Sequence, residues 1–451
     1  MKKYAFITAL ILISTPAMWS QNQVNFDDYF IDNTMRIDYY HMADKTTEFI
    51  SIDKMYQQGT WAGSLNSLID PFNNGNYSIK IYDDASDTLI FSRGFNSYCG
   101  EYMTTGMAAN GIKRTFHETA LIPFPKKKIK FTVERRDRKN QLNPVFSQAI
   151  DPQSIDINKE SLTRGVTVFE TVKNGDPHQK VDLAFIAEGY TKAEKVKFKK
   201  DLQRMTTEFF NQEPYKSHKN DFNIYGVFKA SQESGPDEPG NGISRNTVVD
   251  ASFNALGLRR YMLTEANRAL RDIAAHVPYD AVIIMVNSQR YGGGGIYNSF
   301  CIFSSDNQWS AYLLLHEFGH SFAGLADEYY SSAVVYNEFY PKGIEPTEPN
   351  ITALPDKNNV KWKHLVKEGT PIPTPWGKEV YDNSNKKNKA AYIKAKALEL
   401  KDTVGAFEGA GYAARGLYRP MVNCIMFSKA KIPYCKVCEE VAARMIEYYI
   451  K

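Results

Sequence analysis

The sequence predicts a multidomain α+β protein, with an N-terminal β-sandwich-like domain followed by an α/β domain built around one helix. Three observations carry this. A chain of 451 residues, 43% hydrophobic, normally divides into two or three domains with full-sized cores. Apolar residues alternate with polar ones in the first third, as in half-buried strands. From Val181 onward, buried-type strands alternate with segments of helical period, ending in the apolar run Tyr312-Leu313-Leu314-Leu315 and then His316-Glu317-Phe318-Gly319-His320.

The chain opens with Met1-Lys2-Lys3, a basic segment, and Ala5 to Ile13 is apolar but too short to span a bilayer. Pro16 and small residues follow, ending near Ser20-Gln21. Residues 1–20 therefore read as a signal peptide, which makes a secreted or periplasmic protein the expectation. No cysteine follows the apolar segment, so no lipid anchor is expected, and no other stretch is apolar enough to cross a membrane. Loss of Lys2 and Lys3 takes the formal charge from +4 to +2. Such a balance offers no electrostatic argument for nucleic acid or an anionic membrane as partner.

Residues 21–160 are the expected β domain. Tyr77, Ile79 and Ile81 alternate with polar residues, Asp83-Asp84 supplies a turn, and Leu89-Ile90-Phe91 resumes the strand pattern. Lys130 to Val133 reads as another strand. Lysines 126–128 and Arg135-Arg136 flank it, but Glu134 and Asp137 interrupt the charge, as on a solvated strand edge rather than a nucleic-acid patch. Asn143-Pro144 through Asp151-Pro152 has the composition of a linker, which sets the boundary near residue 160 and leaves 161–451 as the second domain.

That second domain opens with Val181 to Ala187, a strand of the fully buried kind. Thr191 and Glu194 form a capping box before a helix on which Phe198, Leu202, Met205 and Phe209 recur. Phe222 to Phe228 is a second strand, Thr264 caps a helix to about Ala275, and Ala281 to Val286 is a third strand. The polar loop Glu233 to Pro239 reads as a simple turn-rich loop more readily than as a calcium site. Gly292 to Gly295 is no phosphate loop, because Ile296 to Phe300 reads as a strand and no lysine is near. Backbone free of side chains suits close approach of a peptide, so residues 292–299, Gly293 and Gly294 in particular, are candidates for a substrate rim.

His316 and His320 are four residues apart, one helical turn, so both imidazoles can share one tetrahedral ion. Glu317 lies beside the first, able to reach a water on the metal without binding the metal itself. Two histidines for zinc and a glutamate as general base is the metalloprotease arrangement. The competing reading, a core helix with two hydrogen-bonded histidines, is disfavoured by the flanks. Gly324 offers a helix stop, and the acidic Asp327-Glu328 follows at once. A chain turning back at Gly324 brings Asp327 to the metal as third ligand, with Glu328 the competing oxygen donor.

The stretch His316-Glu317-Phe318-Gly319-His320-Ser321-Phe322-Ala323-Gly324-Leu325-Ala326-Asp327-Glu328-Tyr329 resembles the metzincin class of zinc peptidases, and more closely the M64 family, the IgA peptidases. It departs from the usual metzincin pattern twice. Gly324 comes one residue later, and Asp327 stands where a histidine is usual. The resemblance implies Zn2+ on His316, His320 and Asp327 and a metzincin-like fold over residues 161–451. It extends to Glu408-Gly409-Ala410-Gly411-Tyr412 and on to Asn423-Cys424-Ile425-Met426, where Met426 falls at the Met-turn, a hydrophobic floor under the metal. Many metzincins carry a metal-reaching Tyr two residues after that Met. Here the position is Ser428, which leaves Tyr412 or Tyr418 as substitutes, with packing the simpler role for either.

Five cysteines in an exported chain allow two disulfides at most, and Cys424 with Cys435 or Cys438 is the expected pair. Glu439 to Tyr449 closes the chain as an amphipathic helix with Val441 and Met445 inward. These readings converge on a secreted zinc endopeptidase whose partner is a protein or peptide. Immunoglobulin A follows from the family name alone, since no residue here reads a hinge, and host or envelope proteins serve as well. The alternatives are an exported binding or adhesion protein with a vestigial peptidase domain, and a zinc amidase of cell-wall peptides.

Overall fold

Alternating apolar residues in the first third produce two four-stranded sheets in a computed structural model, which describes residues 24–159, 163–331 and 339–451. The expected signal peptide and the boundary at residue 160 lie outside the described residues. The strands are β1 (Phe30–Ala43), β2 (Glu48–Gln57), β3 (Tyr77–Asp83), β4 (Leu89–Phe95), β5 (Arg114–Pro125), β6 (Ile129–Arg136), β7 (Leu142–Ile150) and β8 (Ile157–Asn158). One sheet has the order β5-β1-β2-β8 and the other β4-β3-β6-β7. Ile37 and Ile122 from the first and Ile81, Phe91 and Phe131 from the second are buried in one shared core. Each such side chain contributes roughly 1.5–3 kcal/mol on burial.

The linker expectation for residues 143–152 is corrected here. Residues 142–150 form β7, antiparallel to β6, and Pro144 lies opposite Glu134 where the register shifts. Proline cannot donate to a ladder, but at an edge strand and an irregularity that donor is dispensable. The lysine-flanked strand is not the edge expected: β6 lies between β3 and β7, and Lys128 and Lys130 pair with Asp151 and Asp87 at the surface.

Further along run β9 (Val166–Val172), β10 (Val181–Glu188), β11 (Phe222–Lys229), β12 (Ser252–Phe253), β13 (Met262–Leu263), β14 (Ala281–Val286), β15 (Gly293–Ile296) and β16 (Phe300–Ser304). Six of them form one sheet in the order β15-β16-β14-β10-β11-β9. The inner four are parallel, and β15 and β9 run antiparallel at the edges. Strand β10 is buried throughout, which explains its apolar run Leu183 to Ala187, and its buried Asp182 accepts from Asn223 Nδ2 at 2.9 Å. Helix Lys195–Phe209, entered through the Thr191–Glu194 capping box, covers one face together with helices Ser310–Ala323 and Lys436–Tyr449. Helix Asn267–Ala274 covers the other. Thr264 sits just ahead of that helix, its Oγ1 accepting the Ala266 N–H at 2.9 Å. In the Glu233–Pro239 loop, Glu233 and Asp237 accept backbone N–H groups of Asn246 and Arg245.

The expectation of a strand over residues 296–300 is shifted. The glycines themselves form β15, Tyr297 to Ser299 turn, and the partner strand begins at Phe300. Asn298 takes φ +52°, a left-handed position that asparagine tolerates. The β domain braces this turn: the Asn96 N–H donates to Tyr297 O at 3.0 Å, and Asn298 Nδ2 donates to Gly94 O at 2.7 Å. Among the described residues no helix is long and apolar enough to cross a membrane.

Candidate active site

Helix Ser310–Ala323 buries Leu313, Leu314, Phe318 and Phe322 in the core and turns His316 and His320 toward a cleft of about 450 Å3. Gly324 ends it with φ +63°, and the chain reverses so that the Leu325 N–H donates to Gly319 O at 3.1 Å. That reversal carries Asp327 back over the two imidazoles.

His316 Nδ1 faces Ile425 O at 3.1 Å, and His320 Nδ1 faces Leu325 O at 2.6 Å. Carbonyls accept only, so each ring carries its hydrogen on Nδ1 and presents a lone pair on Nε2. The two Nε2 atoms are 3.3 Å apart. Asp327 Oδ1 lies 3.0 Å from the first and 3.4 Å from the second, yet it is buried without a hydrogen-bond partner among the described residues. Three acceptors thus face one point. A tetrahedral zinc with bonds of about 2.0–2.1 Å sets its donors about 3.3 Å apart, so this set fits the ion. Burial works against charge on His320, but the Asp327 carboxylate outweighs it and lifts the imidazole to about 9, so a metal ion would compete with a proton for Nε2.

Glu317 brings one carboxylate oxygen within 4.8 Å of both imidazoles. Burial pushes its carboxyl above the ordinary value. A Cβ on Gly293 would stand 2.8 Å from Glu317 Oε1, and one on Gly295 would stand 2.3 Å from Glu317 O. The bare backbone of β15 is what admits the glutamate. Gly294 faces the other way, where a Cβ would meet Met262 O at 2.8 Å, so it does not line the cleft. Tyr261 also forms a parallel bridge with Gly293, which occupies the outer edge of β15 at that residue.

Met426 is fully buried beneath the helix, where a Cβ on Gly319 would stand 3.2 Å from its sulfur. Its carbonyl accepts the Glu328 N–H at 2.9 Å. Tyr412, at φ +63°, lies in the cleft and donates to Asp327 Oδ2 at 2.6 Å. Tyr418 does not line the cleft, its backbone pairing with Thr352 instead, and Ser428 donates to Asn423 Oδ1 at 2.6 Å. Arg260 also reaches the cleft, with its guanidinium 3.4 Å from Tyr329 Oη, and Lys429 stands over the Tyr291 ring. Nothing in the local pattern around Arg260 or Lys429 marked them, because both arrive from segments remote from the helix.

The comparison with protein families agrees in extent with this architecture. A model described as IgA Peptidase M64 matches residues 169–446, and one described as Peptidase M64 N-terminus matches residues 25–147. The chain belongs to the IgA peptidase M64 family. As an M64 member it is assigned to the peptidases, and its described residues hold two groups of side chains able to bind a metal. No curated protein matches the chain.

One group is His316, Glu317 and His320, with Asp327 Oδ1 lying beside the two imidazoles. The other is Glu328 with Cys424, Cys435 and Cys438. Two expectations change with it. Glu328 turns its carboxylate away from the imidazoles and to the cysteines, with Oε1 3.2 Å from Cys438 Sγ. The disulfide from Cys424 is absent: all five cysteines are free, and Cys424 Sγ lies 3.8 Å from Cys438 Sγ, far beyond a bond of about 2.05 Å.

Proposed function

We propose that this M64 member is an exported zinc endopeptidase whose catalytic half is metzincin-like, with His316, His320 and Asp327 holding the metal and Glu317 as general base. One observation carries the reading: three acceptor atoms, 3.0–3.4 Å apart, face a common point beside a carboxylate in the cleft that the helix lines. Export rests on residues 1–20 and is checked by the N-terminus of the mature protein.

Zinc at this point supplies Lewis acidity toward the scissile carbonyl and acidifies the attacking water. The rest falls to the chain's own residues. Glu317, whose carboxyl burial raises above its ordinary value, is placed to receive a proton from the water and return it to the leaving amine. Ile425 and Leu325 carbonyls hold the imidazoles in the tautomer that leaves Nε2 free. Tyr412 steadies the carboxylate of Asp327 from its second oxygen. Gly293 leaves the space in which Glu317 moves between water and amine. Met426 closes the floor.

The substrate class is a protein or peptide chain laid along the cleft. Cleavage of a mixed-sequence peptide library by the full mature protein tests this. Cuts that vanish on chelation and return with zinc support the reading, and cuts indifferent to chelation refute it.

A further inference from the structure

Behind the catalytic cleft, Glu328, Cys424, Cys435 and Cys438 meet in a pocket with no access to solvent. We propose that these four residues bind a second, structural zinc ion, with three thiolates and one carboxylate as its ligands.

The geometry is that of a metal site and not of a disulfide. A tetrahedral zinc with Zn–S bonds of about 2.3 Å and a Zn–O bond of about 2.0 Å sets two sulfurs about 3.8 Å apart and a sulfur and oxygen about 3.5 Å apart. Cys424 Sγ and Cys438 Sγ are 3.8 Å apart. Glu328 Oε1 lies 3.2 Å from Cys438 Sγ and 3.9 Å from Cys435 Sγ. All four donor atoms fall within 4.8 Å of one another. A disulfide would satisfy two sulfurs and strand the third beside a buried carboxylate.

Backbone N–H groups converge on two of the three sulfurs, against the burial that disfavours charge there. Cys424 Sγ accepts the Cys435 N–H at 3.2 Å and the Met426 N–H at 3.5 Å, and Cys435 Sγ accepts the Cys438 N–H at 3.5 Å. Cys435 is the N-cap of helix Lys436–Tyr449, so two ligands lie at the positive end of that helix dipole. Glu328 Oε1 accepts Asn350 Nδ2 at 3.2 Å, while its Oε2 is buried with no hydrogen-bond partner among the described residues. Arg419, wholly buried and held by the carbonyls of Gly409 and Val422, acts electrostatically on Glu328. Metal binding releases the thiol protons, and the four anionic ligands leave the filled site with a formal charge of −2, which that guanidinium partly offsets.

Its consequence is mechanical. The ion would tie three segments together: the stretch after the zinc helix, the turn holding Met426, and the final helix. Asp327 precedes Glu328, and His316 rests on the carbonyl of Ile425, next to Cys424, so the second ion would fix both the third ligand and the orientation of the first.

The test is zinc content by mass spectrometry and zinc K-edge X-ray absorption on the full mature chain, purified with zinc under reducing, anaerobic conditions. Wild type is expected to carry two zinc ions per chain. A His316→Ala/His320→Ala double variant is expected to keep one, now with sulfur scattering at about 2.3 Å. An organomercurial should release that remaining ion. A double variant that binds no zinc, or binds it through nitrogen and oxygen only, overturns the proposal. So does a disulfide among Cys424, Cys435 and Cys438 in the peptide map. Because the double variant has no peptidase site, its result is independent of whether the catalytic reading holds.

Discussion

Asp327 and Glu328 are neighbours in the chain and turn their carboxylates to opposite sides, Asp327 Oδ1 to 3.0 Å from His316 Nε2 and Glu328 Oε1 to 3.2 Å from Cys438 Sγ. The chain just after Gly324 lies outside any helix or strand, so neighbouring side chains are not held to one face. Two acidic residues that look interchangeable in sequence serve two different clusters.

Their substitutions should therefore separate. Asp327→Asn is expected to cost at least about 10²-fold in kcat/KM and to lower zinc content by one, since even partners behind a ligand cost 10–100-fold. Glu328→Gln should keep zinc on the His316 and His320 side and lose thermal stability instead. Metal analysis beside a melting curve checks the pair.

Tyr412→Phe removes the hydroxyl that donates to Asp327 Oδ2 at 2.6 Å. The ring and its cleft position stay. The expected loss is about 10–100-fold in zinc affinity, read by competition with a chelator. Tyr418→Phe, away from the cleft, serves as the control and should leave affinity unchanged.

Gly293→Val puts a side chain where a Cβ already stands 2.8 Å from Glu317 Oε1. Zinc content should stay at the wild-type value while kcat falls by about 10²-fold, the cost of a general base displaced by roughly 1 Å. Unchanged kcat would remove Gly293 from the account of Glu317.

His41 lies buried between Glu48 and Glu118, at 2.8 Å from each. Burial opposes its charge, but Glu118 and Glu48 hold its value well above 6.5. Glu48 is lowered from 4.5, where burial is outweighed by His41 and Arg135. The sign follows from linkage. The histidine's contribution is complete below about pH 6.5 and is lost as pH rises through its raised folded value. The glutamate's contribution is complete above about pH 4.5 and is lost as pH falls. The stability of wild type over His41→Gln should therefore peak between these values, which melting curves across pH 4–9 would check.

Much of this was legible before the structure. Strands such as β3, β10 and β14 announce themselves because the period of a sheet, or an unbroken run of a buried strand, needs only local residues. His316 and His320 were legible for the same reason, one helical turn being a local distance. What escaped depended on remote partners. Residues 142–150 read as a linker because Pro144 breaks a local pattern, whereas an irregular edge opposite Glu134 absorbs it. The glycines of β15 carry no strand propensity and become a strand because β16 pairs with them and Glu317 needs the space. The three cysteines suggested a disulfide, since spacing alone cannot show that Glu328 arrives from about a hundred residues upstream to join them. Tyr412 donates to Asp327 across a comparable separation.

Glu317→Ala is the measurement closest to the central claim. It is to be assayed on a peptide library beside wild type, with zinc content measured on both. The variant should keep its zinc and lose at least about 10²-fold in turnover, as removal of a general base does. Turnover above about a tenth of wild type, with zinc retained, would contradict the assignment of Glu317 as the base.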